Sequence, residues 1–202
     1  MIEKISTRLL NFVMSHITID AELADVYKYG IEISISTALN ILLTMIIAIA
    51  LGEPLCGLTF LGCMILIRSY CGGYHADSYF KCNCMMIILF SAAYGIGKLI
   101  LYFGITEFHI MSSVLMLCFI PIYAFSPVKN EHKEVSEKKA KKCRIISFVL
   151  YIAMSLIGLY LISINSLYGS IIIVTLVEVS VAFLVEIYRQ RRNDNEAQGN
   201  SG

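Results

Sequence analysis

The sequence predicts an all-α integral membrane protein: six transmembrane helices plus an N-terminal amphipathic helix, with both termini cytoplasmic. Three observations predict this. Of 202 residues, 57% are hydrophobic and 15% charged, giving a mean hydropathy of +0.73, which excludes an ordinary soluble domain. Several apolar windows approach the ~20 residues that a helix needs to cross about 30 Å of hydrocarbon. The basic residues are confined to alternate connections between those windows, as the positive-inside rule requires. The net charge of +1 adds nothing, because the charges are unevenly spread.

Residues 2–14 place Ile2, Ile5, Leu9, Phe12 and Val13 mostly at spacings of three and four, with Lys4 and Arg8 between them. That pattern suits a helix lying along the membrane surface, or one packed on the bundle. The first thirty residues also carry Glu3, Asp20, Glu22, Asp25 and Lys28 and have no uninterrupted apolar core, so no cleavable signal peptide is expected.

Residues 31–51 form the first span, interrupted by Glu32 and Asn40, and Gly52-Glu-Pro54 is a tight turn. Residues 55–67 are apolar but short, which predicts an incomplete crossing or a locally thinned bilayer. A polar island, 68–84, follows. Residues 85–103 make a third span containing Lys98, and 108–125 a fourth carrying Pro121. The hydrophilic loop 128–144 has Lys129, Lys133, Lys138, Lys139, Lys141, Lys142 and Arg144 against Glu131, Glu134 and Glu137. Residues 145–163 and 168–188 complete the six, the last holding Glu178 and Glu186. Lys98 and Glu178 are ionisable groups inside spans, where they are costly unless paired or hydrated, and they could pair with each other. Residues 1–192 read as a single membrane domain and 193–202 as a polar, disordered tail.

Six crossings put 1–30, 68–84, 128–144 and 189–202 on one side. All sixteen Lys and Arg lie there except Lys98, which is inside a span. That side is therefore the cytoplasmic one, and the polar island faces a reducing compartment where thiols stay free. Cys56, Cys63, Cys118 and Cys143 lie in or beside apolar runs and read as inert filler. No cysteine spacing suggests a disulfide framework.

The island runs Arg68-Ser-Tyr-Cys-Gly-Gly-Tyr-His-Ala-Asp-Ser-Tyr-Phe-Lys-Cys-Asn-Cys84. A thiol nucleophile needs a base to take its proton, and Cys82 and His75 could form that pair. In a continuous helix, seven residues would separate their backbones by about 10.5 Å along the axis, too far for contact. A workable arrangement keeps His75 in a non-helical segment after Gly72-Gly73, with Asp77 or Ser78 capping the third span. Cys82 then lies at a helix N-terminus, where the dipole favours an anion, with Arg68 and Lys81 acting in the same sense. Asp77 could instead orient His75 as the third member of a triad. A rival reading takes Cys71, His75, Cys82 and Cys84 as a Cys3His metal site in a small transporter or metal-binding protein, although the usual paired knuckles are missing. A scaffold in which none of these residues does chemistry is a third.

The run Arg68…Gly72-Gly73-Tyr74-His75-Ala76…Cys82 closely resembles the accessory gene regulator B (AgrB) family of Gram-positive bacteria. The resemblance extends along the chain through six apolar segments, Ala124-Phe-Ser-Pro127 and the lysine-rich loop. It implies a multi-pass bacterial membrane endopeptidase that processes quorum-sensing propeptides of the AgrD type. By this resemblance His75 deprotonates Cys82, and the thiolate cleaves the propeptide and retains its N-terminal part as a thioester. A thiol or hydroxyl within the peptide then closes a macrocyclic thiolactone or lactone. Arg68 is a candidate for oxyanion stabilisation or substrate holding. Lys138, Lys139, Lys141 and Lys142 either set topology and contact anionic lipid or dock an acidic propeptide tail. The expected partners are the propeptide, the bilayer and a second copy in a homodimer, with no metal, cofactor or nucleic acid.

Overall fold

A computed structural model describes residues 7–8, 21–71, 78–126 and 137–199. These residues contain no strand and six long helices: α1 (Ala21–Ala50), α2 (Pro54–Cys71), α3 (Tyr79–Tyr102), α4 (Phe108–Phe125), α5 (Glu137–Ser163) and α6 (Leu167–Gly199). Each contains a stretch long and apolar enough to cross a membrane. A helix satisfies its own backbone groups, which a bilayer interior demands. Of the expected surface helix over 2–14, Thr7 and Arg8 are described and are helical; the rest lies outside the described residues.

The three short connections close in the same way. Gly52 (φ 75°), Gly104 (φ 65°) and Asn165 (φ 54°) each take the left-handed conformation that ends a helix. Backbone bonds back into the last turn secure them: Glu53 N to Ala48 O (2.9 Å), Ile105 N to Ile100 O (2.9 Å) and Ser166 N to Leu161 O (3.0 Å). Pro54 occupies the first position of α2, where its missing N–H has no intrahelical partner to lose.

Four helix ends lie outside the apolar runs that hydropathy marks. α2 runs on to Cys71, so the segment over 55–67 is not an incomplete crossing; its 18 residues rise about 27 Å. Ser69 helps by bonding back to Ile65 O (2.6 Å). α3 starts at Tyr79, ahead of the apolar run at 85 and next to an expected cap, and α5 starts at Glu137, inside the expected loop 128–144. α6 continues to Gly199, past the expected end of the last span at 188. The cause is common to all four: a helix, once nucleated, adds polar residues at little cost, and hydropathy registers only the apolar part.

α6 is the axis of the bundle and packs against α2, α3, α4 and α5, while α1 packs chiefly on α2 and α3. Ser170 to Leu176 are buried without interruption. Lipid gives apolar helices no hydrophobic reason to associate, so close backbone approach and interhelical bonds must supply it. Gly169 shows the approach: a Cβ there would stand 2.7 Å from the Leu161 carbonyl carbon and 2.9 Å from Gly158 O, both backbone atoms of α5. Gly57 of α2 meets the Ala48 methyl of α1 similarly, at 2.6 Å. Buried Tyr151 of α5 donates to Leu115 O of α4 (3.1 Å), and Arg144 Nε donates to Ser126 O (2.6 Å). The Lys98–Glu178 pair does not form. Lys98 lies exposed, 5.0 Å from the Tyr94 ring centroid, and the buried Glu178 Oε2 has no hydrogen-bond partner among the described residues.

Candidate functional site

The site begins with the cap of α3. Ser78 is extended (φ −143°, ψ 146°) and its side chain accepts from Lys81 N at 3.3 Å. The expected cap, Asp77 or Ser78, is thus Ser78. The first-turn bond, Cys82 N to Ser78 O at 3.1 Å, makes Cys82 the residue that closes the opening turn. The helix that carries Cys82 therefore begins at Tyr79 and does not extend back through Ser78. His75, Gly72, Gly73 and Asp77 lie outside the described residues.

Cys82 is half-buried, and α1 reaches it. Asn40 Nδ2 donates toward Cys82 Sγ at 4.0 Å. One turn toward the same end, Ser36 Oγ donates to Asn83 Oδ1 (3.3 Å), and beyond it Tyr79 OH donates to Glu32 Oε2 (2.6 Å). Glu32, Ser36 and Asn40 recur every four residues, so they form one stripe on α1 facing the opening of α3. Thr44 continues the stripe by another turn. Asn40 Oδ1 and Thr44 Oγ1 are buried and have no partner among the described residues.

The remaining candidates are dispersed around this seam. Arg68 is half-buried in the last turn of α2, across residues 72–77 from Ser78. Cys71 is fully buried. Cys84 is half-buried and lies about 200° around α3 from Cys82, so only Cys82 meets Asn40. Lys138, Lys141 and Lys142 are exposed and share one face of the first turns of α5; of the Lys139 side chain nothing is described. Among the described residues, no three His, Cys, Asp or Glu converge as a metal site, and His75 of the rival Cys3His set is outside them.

Sequence reasoning missed the α1 contribution. Glu32 and Asn40 counted only as interruptions of an apolar span. The available signal was the four-residue spacing of Glu32, Ser36, Asn40 and Thr44, which draws a polar line down one helix face.

The family model described as Accessory gene regulator B matches residues 6–185. The chain is 28% identical over 172 residues to an AgrB-like protein 2 of Clostridium perfringens (strain 13 / Type A), with 79% of each chain covered. It is 28% identical over 170 residues to an AgrB-like protein of Clostridium perfringens (strain SM101 / Type A), again with 79% of each covered. A third AgrB-like protein, from Lactiplantibacillus plantarum (strain ATCC BAA-793 / NCIMB 8826 / WCFS1), is 29% identical over 147 residues, covering 71% of this chain and 72% of its own. No solved structure matches. Six apolar helices and this match describe a multi-pass bacterial membrane protein. The chain belongs to the accessory gene regulator B family, and membership implies a part in processing agr quorum-sensing propeptides.

Proposed function

We propose that the chain is a membrane cysteine endopeptidase acting on an AgrD-type propeptide, with Cys82 as nucleophile and His75 as base. The observation that carries the reading is the position of Cys82. Its thiol is half-buried, closes the capped first turn of α3, and sits beside a side-chain amide within the family-matched region.

In this reading His75 takes the Sγ proton and the thiolate adds to the scissile carbonyl carbon, moving the carbonyl electron pair onto oxygen. Collapse expels the amine of the C-terminal fragment, which takes the proton back from His75. The N-terminal part remains on Cys82 as a thioester. A thiol or hydroxyl of the same peptide then attacks that carbonyl, Cys82 leaves, and the ring closes without net consumption of water. Residues 68–84 face the cytoplasm in this scheme, as the distribution of Lys and Arg favours. Arg68 holds substrate or stabilises charge, and Lys138, Lys139, Lys141 and Lys142 attract an acidic propeptide tail.

Co-expression with an AgrD-type propeptide tests the reading, comparing wild type with Cys82→Ala, His75→Ala and Cys84→Ala. Propeptide length and a hydroxylamine-sensitive adduct on the protein are the readouts. Cleavage and adduct should vanish in the first two variants and persist in the third. Cleavage surviving Cys82→Ala would remove Cys82 as nucleophile.

A further inference from the structure

We propose that Asn40 is a catalytic residue of the Cys82 site: its Nδ2 donates to the oxyanion formed at the scissile carbonyl, and its Oδ1 receives a backbone N–H of the substrate's acyl segment. This rests on the cysteine endopeptidase reading above.

Three observations carry it. First, Asn40 Nδ2 stands 4.0 Å from Cys82 Sγ, at the outer limit of a hydrogen bond to sulfur. The oxyanion lies two bonds from Sγ once the thiolate has added. A donor at this distance can therefore reach roughly 2.7–3.1 Å from that oxygen, the range of an oxyanion hole. Second, Asn40 Oδ1 is buried and has no partner among the described residues. An unmatched carbonyl oxygen in a span is costly, and an extended peptide supplies the missing donor. Thr44 Oγ1, a turn deeper on the same stripe, is buried and unmatched in the same way. Ser147 and Thr175 instead bond back to their own helices, to Cys143 O (2.9 Å) and Ile171 O (2.7 Å), while Ser126 Oγ and Ser155 Oγ are open elsewhere in the bundle. The two open groups of α1 thus mark one line along the seam where polar atoms lack an internal partner.

Third, Asn40 is held in place. The Ser36–Asn83 and Tyr79–Glu32 bonds pin α1 to the opening of α3 on one side of it. A donor fixed before the reaction stabilises developing charge without reorganising, which is the condition for a large effect. Asn40 transfers no proton in the scheme; its amide only follows the electron pair that moves onto oxygen.

The test uses the full chain in proteoliposomes with an AgrD-type propeptide, and compares wild type with Asn40→Leu, Asn40→Asp and Cys82→Ala. Asn40→Leu should lower kcat on the order of 10²-fold or more. Asn40→Asp keeps the shape and the acceptor but loses the donor, and should fall comparably. The rate at which Cys82 is alkylated by a small maleimide, mapped by mass spectrometry, should remain near wild type. A substrate-derived peptide aldehyde, which adds to the thiol and creates the oxyanion, should bind Asn40→Asp about 10²-fold more weakly, while the matching alcohol, which needs only the retained acceptor, binds it unchanged. Wild-type kcat in Asn40→Leu overturns the proposal. So does an equal loss of aldehyde binding, alcohol binding and alkylation, which would make Asn40 merely structural. If Cys82→Ala still cleaves, the endopeptidase reading falls as well; if Cys82→Ala is dead and Asn40→Leu is normal, only the role of Asn40 falls.

Discussion

α6 and α1 both cross the bundle with polar residues on a buried face, and they treat those residues differently. In α6, Ser170, Thr175 and Ser180 are buried, and each hydroxyl donates to a carbonyl three or four residues back, at 2.9, 2.7 and 2.8 Å. The hydroxyls satisfy themselves inside the helix and leave its surface free to pack on α2, α3, α4 and α5. In α1, Glu32 and Ser36 bond across to α3, Asn40 reaches the Cys82 thiol, and Asn40 Oδ1 and Thr44 Oγ1 are left open. Glu178 and Glu186 are the exceptions in α6, since the Oε2 of each is also open. The difference separates a helix built for packing from one whose polar face is directed at another group. Polarity inside a membrane span is therefore not informative by itself; where each polar atom finds its partner is.

The comparison can be broken or sharpened by substitution, taking the largest effect first. If α6 is the packing axis, Gly169→Val should be severe, because even a Cβ meets the α5 backbone and neither strand of chain can yield cheaply. Overpacking of this kind typically costs about 1–3 kcal/mol, and a backbone clash belongs at or above the top of that range. A large fall in the melting temperature of the detergent-solubilised protein would bear this out; a normal melting curve would show that α5 and α6 are not so tightly apposed.

A smaller effect is expected at the other end of the comparison. Ser78→Ala removes the cap of α3 and should weaken its first turn by about 0.5–2 kcal/mol. Amide exchange at residues 80–83 should accelerate while exchange in α6 stays slow. Equal acceleration in both helices would mean that the seam is not a separate unit.

The smallest and most diagnostic pair is Thr44→Val against Thr175→Val. Each swaps a hydroxyl for a methyl of nearly the same shape. Thr175 loses a satisfied bond and should be destabilised by a few tenths to about 1 kcal/mol. Thr44 loses an unmatched hydroxyl and should be neutral or slightly stabilised. The reverse order in equilibrium unfolding would contradict the distinction between the two helices.

The sequence by itself determined the six membrane-length helices of the described residues, because a bilayer admits a spanning helix and little else, and apolar length reports it directly. It also determined the tight turn at Gly52, and it gathers the candidate residues Arg68, His75 and Cys82 into the polar island 68–84. The tertiary structure decided the rest. It gave Arg68–Cys71 to α2 and made Ser78, of the two expected caps, the one that opens α3, since helix propagation is invisible to an average over hydropathy. It also brought Asn40 to Cys82 from 42 positions away. Period and composition describe a helix face but not its neighbour. Which side of α1 meets α3 is set by close packing at contacts such as Gly57 on Ala48 and by the bonds that only the assembled bundle can form.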